Sequence, residues 1–156
     1  MYYTGNEIVE IAVRIEENGY TFYTNVSEMT GKENDIKHLF LDLAEKEIQH
    51  MAIFQKLLEK YEPEDYAMAN EDASAYISHL AESHIFGKPE AGMKLAKTIK
   101  SPKEALEIAL KFENDSVAFY TELAGRAKTD SKKLIRQIIE EEKEHAAEIS
   151  RFLTGK

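Results

Sequence analysis

Two glutamate–histidine pairs stand where a packed helix should be oily. In the segment "LFLDLAEKEIQHMAIFQKLL", Phe40, Leu43, Ala44, Glu47, His50, Met51, Phe54, Leu57 and Leu58 recur at short helical steps and line one face. Near the C-terminus, Glu142 and His145 interrupt a second stripe made of Leu134, Ile135, Ile138, Ile139, Ala146, Ile149, Phe152 and Leu153. In each pair the acid and the imidazole are three residues apart, about 60° around the helix, so both point into the same interior. Carboxylate with imidazole and no sulfur is a donor set for divalent iron or manganese, and zinc fits it too.

Two more acids face the same way. The stripe Ile8, Ile11, Ala12, Ile15, Gly19, Phe22, Val26 places Glu16 about 60° from its centre and Glu17 about 160° away, so Glu16 turns inward and Glu17 meets water. By the same phase Glu113 is inward, and Asn114 takes the place of Glu17. Each inward acid is followed seven residues later by a tyrosine, Tyr23 and Tyr120. These tyrosines are candidates for bonding a ligand or passing electrons, or they are packed aromatics. No lysine or arginine falls on the stripes to pair with the acids. Burying a bare carboxylate costs several kcal/mol even after relaxation. Either the acids hold protons or cations neutralise them, and two divalent ions match four carboxylates in charge. One glutamate from each of two helices, with Glu-x-x-His from each of the other two, is the ligand pattern of di-iron and di-manganese carboxylate bundles. Glu16, Glu47, His50, Glu113, Glu142 and His145 are therefore the candidate metal ligands. The alternative is a metal-free bundle in which the six form a polar network.

The elements that carry them are all helical. Thr4 to Glu7 reads as a capping box opening helix one, and Gly31 as a stop. Helix two is expected over about 34–61, ending before Pro63, and a weaker helix over about 70–86, bounded by Gly87 and Pro89. Ser101-Pro-Lys-Glu104 opens helix three, expected to reach about 124, and helix four covers about 131–153. Alternation suited to a strand is never sustained. The chain also repeats itself. A shift of 97 aligns residues 7–24 with 104–121 at eight identities, including Glu16 with Glu113 and Tyr23 with Tyr120. A shift of 95 sets Glu47 on Glu142 and His50 on His145. The expected architecture is all-α: a four-helix bundle from two repeated hairpins, about 5–61 and 102–154, joined by a long crossover over 62–101 within one domain spanning 1–156.

The 156 residues suffice for one core, and a net charge of −9 argues against nucleic acid or an anionic membrane as the main partner. With no cysteine, thiol catalysis, disulfides and a cysteine-held iron–sulfur centre are excluded within this chain. Glu7 and Glu10 sit where a signal peptide would need an apolar run, which leads to the expectation of a cytoplasmic protein. Of the remaining residues, Tyr20 is expected to pack, His38 to be solvated, His84 to be a satisfied core histidine, and His79 and His84 to diverge too far to chelate together.

At these residues the sequence resembles the rubrerythrin branch of the ferritin-like superfamily. "LAEKEIQH" and "IIEEEKEH" are similar to its two Glu-x-x-His helices, and "AVRIEENGYTFY" and "ALKFENDSVAFY" to its glutamate–tyrosine helices. The resemblance covers nearly all of residues 5–153, least well in the crossover. It implies a ferritin-like bundle holding two irons, with Glu47 and Glu142 as bridging carboxylates, in a homodimer. It further implies a non-haem oxidoreductase that reduces peroxide or dioxygen using a separate electron-donor protein. Two departures stand out. The rubredoxin domain that family members usually append needs four cysteines, which this chain lacks. The family's further glutamate, three residues after the one matching Glu113, is replaced by Ser116, and Asp115 lies about 200° around the helix from Glu113. In the family that glutamate is linked to iron movement during redox cycling, so its loss weighs against efficient peroxide reduction by the family's mechanism. The alternative functions are Fe(II) oxidation or iron handling, a metal that only staples the bundle of a non-enzymatic binding protein, and substrate oxygenation or manganese catalase activity.

Overall fold

The chain is described by a computed structural model over residues 5–30, 35–60 and 71–155, with side chains from residue 75 onward in the last stretch. Four long helices dominate: α1 (Gly5–Ser27), α2 (Asp35–Lys60), α5 (Pro102–Arg126) and α6 (Thr129–Thr154). Between α2 and α5 lie α3 (Glu71–Ser83) and the short α4 (Ala91–Ala96). Among the described residues no strand forms. None of the described helices is long and apolar enough to cross a membrane.

The apolar stripes make the core. Ile8, Ile11, Ala12, Ile15, Phe22 and Val26 of α1 are all buried, as are Leu43, Phe54 and Leu57 of α2 and Ile135, Ile138 and Ile149 of α6. Helix α1 packs along α2 and α5 along α6, and the two hairpins meet through α1 on α5 and α2 on α6. Gly19 marks a close approach between the hairpins: a Cβ there would stand 2.6 Å from the Phe112 ring and 3.3 Å from Glu47 Cγ. Two residues differ from expectation: Tyr20, expected to pack, is 39% exposed, and Leu134, on the helix-four stripe, is 37% exposed.

Helix boundaries follow local chemistry. Ser101 caps α5 by accepting from the Glu104 amide at 3.2 Å, and Pro102 occupies the first turn. The Glu104 carboxylate reaches one residue beyond the usual capping-box partner and accepts from Lys100 N at 2.9 Å. The expected cap at Thr4 and stops at Gly31 and Pro63 lie outside the described residues.

The crossover holds a helix more than the sequence suggests. Asn18, buried on α1, clamps it: its Nδ2 donates to the carbonyls of Phe86 and Lys88, each at 2.8 Å, and its Oδ1 accepts from Gly92 N at 3.2 Å. Arg14 adds a bond to the Gly87 carbonyl at 3.2 Å. The α4 backbone comes so near α1 that a Cβ on Gly92 would collide with the Asn18 carbonyl oxygen, which is main chain and cannot swing aside. Gly92→Ala is therefore expected to destabilise the fold by about 1–3 kcal/mol, the usual cost of overpacking. Urea unfolding followed by circular dichroism checks this; an unchanged midpoint would mean the crossover is not held against α1 as described.

Candidate metal centre

Each hairpin delivers three of the six candidate side chains, and helix phase brings them to one level of the bundle. Glu16, Glu47, Glu113 and Glu142 are fully buried, His50 is 1% and His145 7% exposed. Glu17, one residue from Glu16, is exposed, as the phase argument requires. The six form two overlapping donor sets, Glu16–Glu47–His50–Glu142 and Glu47–Glu113–Glu142–His145, with one donor atom from each member lying within 4.8 Å of the others in its set. Glu47 and Glu142 belong to both sets.

Both imidazoles turn Nδ1 toward the carboxylates. His50 Nδ1 lies 2.7 Å from Glu142 Oε1, 3.7 Å from Glu16 Oε2 and 4.0 Å from Glu47 Oε2. His145 Nδ1 lies 3.6 Å from Glu113 Oε2 and 4.0 Å from Glu47 Oε1. The two rings stand 6.0 Å apart, 24° from parallel. The short His50–Glu142 approach is a close contact without hydrogen-bond alignment, since both atoms are among those with no hydrogen-bond partner.

The two tyrosines cross between the hairpins. Tyr23 Oη donates to Glu113 Oε1 at 2.6 Å, and Tyr120 Oη donates to Glu16 Oε1 at 2.5 Å. Each tyrosine thus bonds the inward glutamate of the other repeat. Burial, and then the carboxylates beside them, push both phenols well above their ordinary range, so they keep their protons and remain donors.

The donor atoms that remain test whether a metal pair fits. Glu16 Oε2, both oxygens of Glu47 and of Glu142, Glu113 Oε2, and Nδ1 of His50 and His145 are buried without a hydrogen-bond partner. Buried polar atoms are nearly always paired. Here the orphans converge on one place, are the hard oxygen and imidazole donors a divalent ion takes, and include no thiolate. The residues present fit two such ions.

Without cations the cluster must hold protons. Burial, then neighbouring carboxylates, raise Glu47 and Glu142 well above the usual glutamate value. Burial also disfavours ionised Glu16, but the neighbouring Glu47 and His50 and the Tyr120 hydroxyl outweigh it and hold that carboxyl below its ordinary value. Burial opposes a charge on His50, yet the close approach of the Glu142 and Glu16 carboxylates prevails and raises it to about 12.

Three features escape sequence reasoning. Glu141, 42% exposed, brings Oε2 to 2.8 Å from His50 Nε2. Ser116 is fully buried and its hydroxyl lies 2.9 Å from His84 Nε2, while His84 Nδ1 accepts from Phe86 N at 3.0 Å. Asn18 clamps the crossover beside this pair. Helix phase assigns Glu141 to water, and nothing local joins residues 84 and 116. His84 is thus a satisfied core histidine, as expected, and burial lowers it to about 4.

Comparison with known proteins now adds to the geometry. Residues 7–88 and 104–155 match the sequence profile of rubrerythrin. The chain belongs to the rubrerythrin family. A crystal structure from Thermotoga maritima, described as a ferritin-like diiron-carboxylate protein, superposes with a TM-score of 0.71 at 28% identity, covering 99% of this chain and 97% of that one. No curated protein matches. The fold of this rubrerythrin-family chain is thus all-helical and ferritin-like, and the family, the neighbour and the buried cluster support a di-metal protein.

The proton arrangement has a measurable sign. Above about pH 6.5 the metal-free fold keeps on His50 a proton that the unfolded chain has released, and the raised Glu47 and Glu142 act in the same direction, so stability falls as pH rises. Below about pH 6.5 the unfolded chain also protonates His50 and His84; because folded His84 stays neutral, the decline there is shallower. Bound cations displace these protons, so the metal-loaded protein is expected to reverse the trend and gain stability with pH. Thermal melts of chelator-treated and metal-loaded protein across this range check both signs; a metal-free melting temperature that climbs above about pH 6.5 would contradict the arrangement.

Proposed function

We propose that the chain is a non-haem di-iron oxidoreductase that reduces peroxide or dioxygen with electrons from a separate donor protein. The observation that supports this best is the sharing of Glu47 and Glu142 between the two donor sets. In this reading Glu47 and Glu142 would serve both ions, Glu16 and His50 would hold one of them, and Glu113 and His145 would hold the other. Iron is inferred from the family and from the diiron description of the neighbour; manganese and zinc suit the same donors. When bound, such a metal pair supplies electrons and polarises an O–O bond.

The side chains have separable tasks. Tyr120 and Tyr23 each occupy one oxygen of Glu16 and Glu113, leaving the second oxygen facing the cluster. Their retained protons hold those carboxylates in place without adding negative charge. Phe112, Phe119, Phe40 and Phe54 are buried around the tyrosines and keep water out, which strengthens every charge interaction inside. With no cysteine for a second redox centre in this chain, electrons must arrive from outside it.

A second reading, Fe(II) oxidation for iron handling, is favoured by one feature. Where the family has a further carboxylate, this chain has Ser116, whose hydroxyl is engaged by His84.

Anaerobic loading with Fe(II), then stopped-flow mixing with peroxide, tests the proposal. Growth of ferric absorption matched by peroxide loss is expected, with repeated turnover when a reductant is supplied. Absence of both rejects it, whereas a single turnover that leaves ferric protein favours iron handling. Glu47→Ala removes a ligand shared by both positions and is expected to lower bound metal from about two per chain to about one or fewer, read by elemental analysis.

A further inference from the structure

The two halves of the centre are built on one plan, but their histidines are supported differently. His50 Nδ1 faces the carboxylates, and its other nitrogen, Nε2, lies 2.8 Å from Glu141 Oε2. With Nδ1 directed at a metal, the ring proton belongs on Nε2, where it donates to Glu141. A carboxylate in that position fixes the tautomer, holds the ring plane and makes the imidazole a stronger donor. His145 also turns Nδ1 inward, toward Glu113 and Glu47. Yet the residue that corresponds to Glu141 in the other repeat, 95 positions earlier, is Lys46, an exposed cation that cannot accept the ring N–H. Among the described residues no side chain bonds His145 Nε2 in the way Glu141 bonds His50.

We propose that Glu141 is a positioning residue that makes the Glu16–His50 metal position bind its ion more tightly than the Glu113–His145 position, so that the centre fills in order. This rests on the di-metal reading above. Glu141 sits on the surface of α6, off the apolar stripe, so its substitution removes support from His50 without opening the core.

The test is a Co(II) titration of the chelator-treated full-length chain against a competing chelator, read by ligand-field absorption. Wild type is expected to bind two ions with distinct affinities. Glu141→Ala should weaken the tighter step by about 10–100-fold and leave the weaker step within about two-fold, with Glu141→Gln in between because its amide oxygen still accepts the ring proton. His145→Ala should retain one tight step that is still sensitive to Glu141→Ala, which assigns that step to His50. In the zinc-loaded protein, proton NMR should show a slowly exchanging His50 Nε2–H signal that is lost in Glu141→Ala. Binding of fewer than about two ions by wild type would remove the di-metal reading and this proposal with it. Two ions in wild type, with Glu141→Ala weakening both steps equally or neither, would overturn this proposal alone.

Discussion

The structure turns on a problem of charge. Four carboxylates are fully buried at one level of a helical bundle, and the charged partners recorded for them are two histidines. Desolvation makes such a cluster untenable as four bare anions. Protons relieve it in one state and cations in another, and the two compete for the same atoms. The unpartnered oxygens and nitrogens at the centre are the mark of that competition. An apolar bundle of similar volume would be simpler to stabilise, so the acids are best understood through what they hold.

Around this centre the repeat is used as a crossed tie. Tyr23, on α1, bonds the glutamate of α5, and Tyr120, on α5, bonds the glutamate of α1. Neither hairpin completes its own inward acid. Metal geometry and the packing of α1 on α5 are thus joined through two short hydrogen bonds in a dry interior, where each is stronger than in water.

The repeat departs from symmetry where the surroundings differ. Gly19 and Ser116 occupy equivalent positions, 97 residues apart. A side chain at Gly19 would run into Phe112, while Ser116 has room to meet His84 from the crossover. Glu141 and Lys46 are likewise equivalent by register and opposite in charge. The described part of the crossover, α3 and α4, packs on α1 and α5, so the two halves of the centre do not share one environment, and chemistry at one metal position need not be duplicated at the other.

Much of this was legible along the chain. Phase on a helix is a local property: a turn of about 100° per residue separates Glu16 from Glu17 and puts Glu47 with His50, whatever the neighbouring helices do. Two such motifs repeated at near-constant spacing, with tyrosines in matching places, were enough to name the bundle and the six side chains that meet. Edges were less readable. Leu134 continues its stripe and Tyr20 is an aromatic suited to packing, yet both are exposed, because exposure depends on what other segments lie over them. Helix α4 follows a glycine and a proline that look like a boundary, and its place is set by Asn18, 74 residues from Gly92. Glu141 points away from its own helix's core, and only the position of α2 makes it a partner of His50. The sequence by itself determined which residues face inward, because periodicity is written within each helix. The tertiary structure alone decided which of them touch across helices, because those contacts depend on how separate segments are docked, which no local pattern encodes.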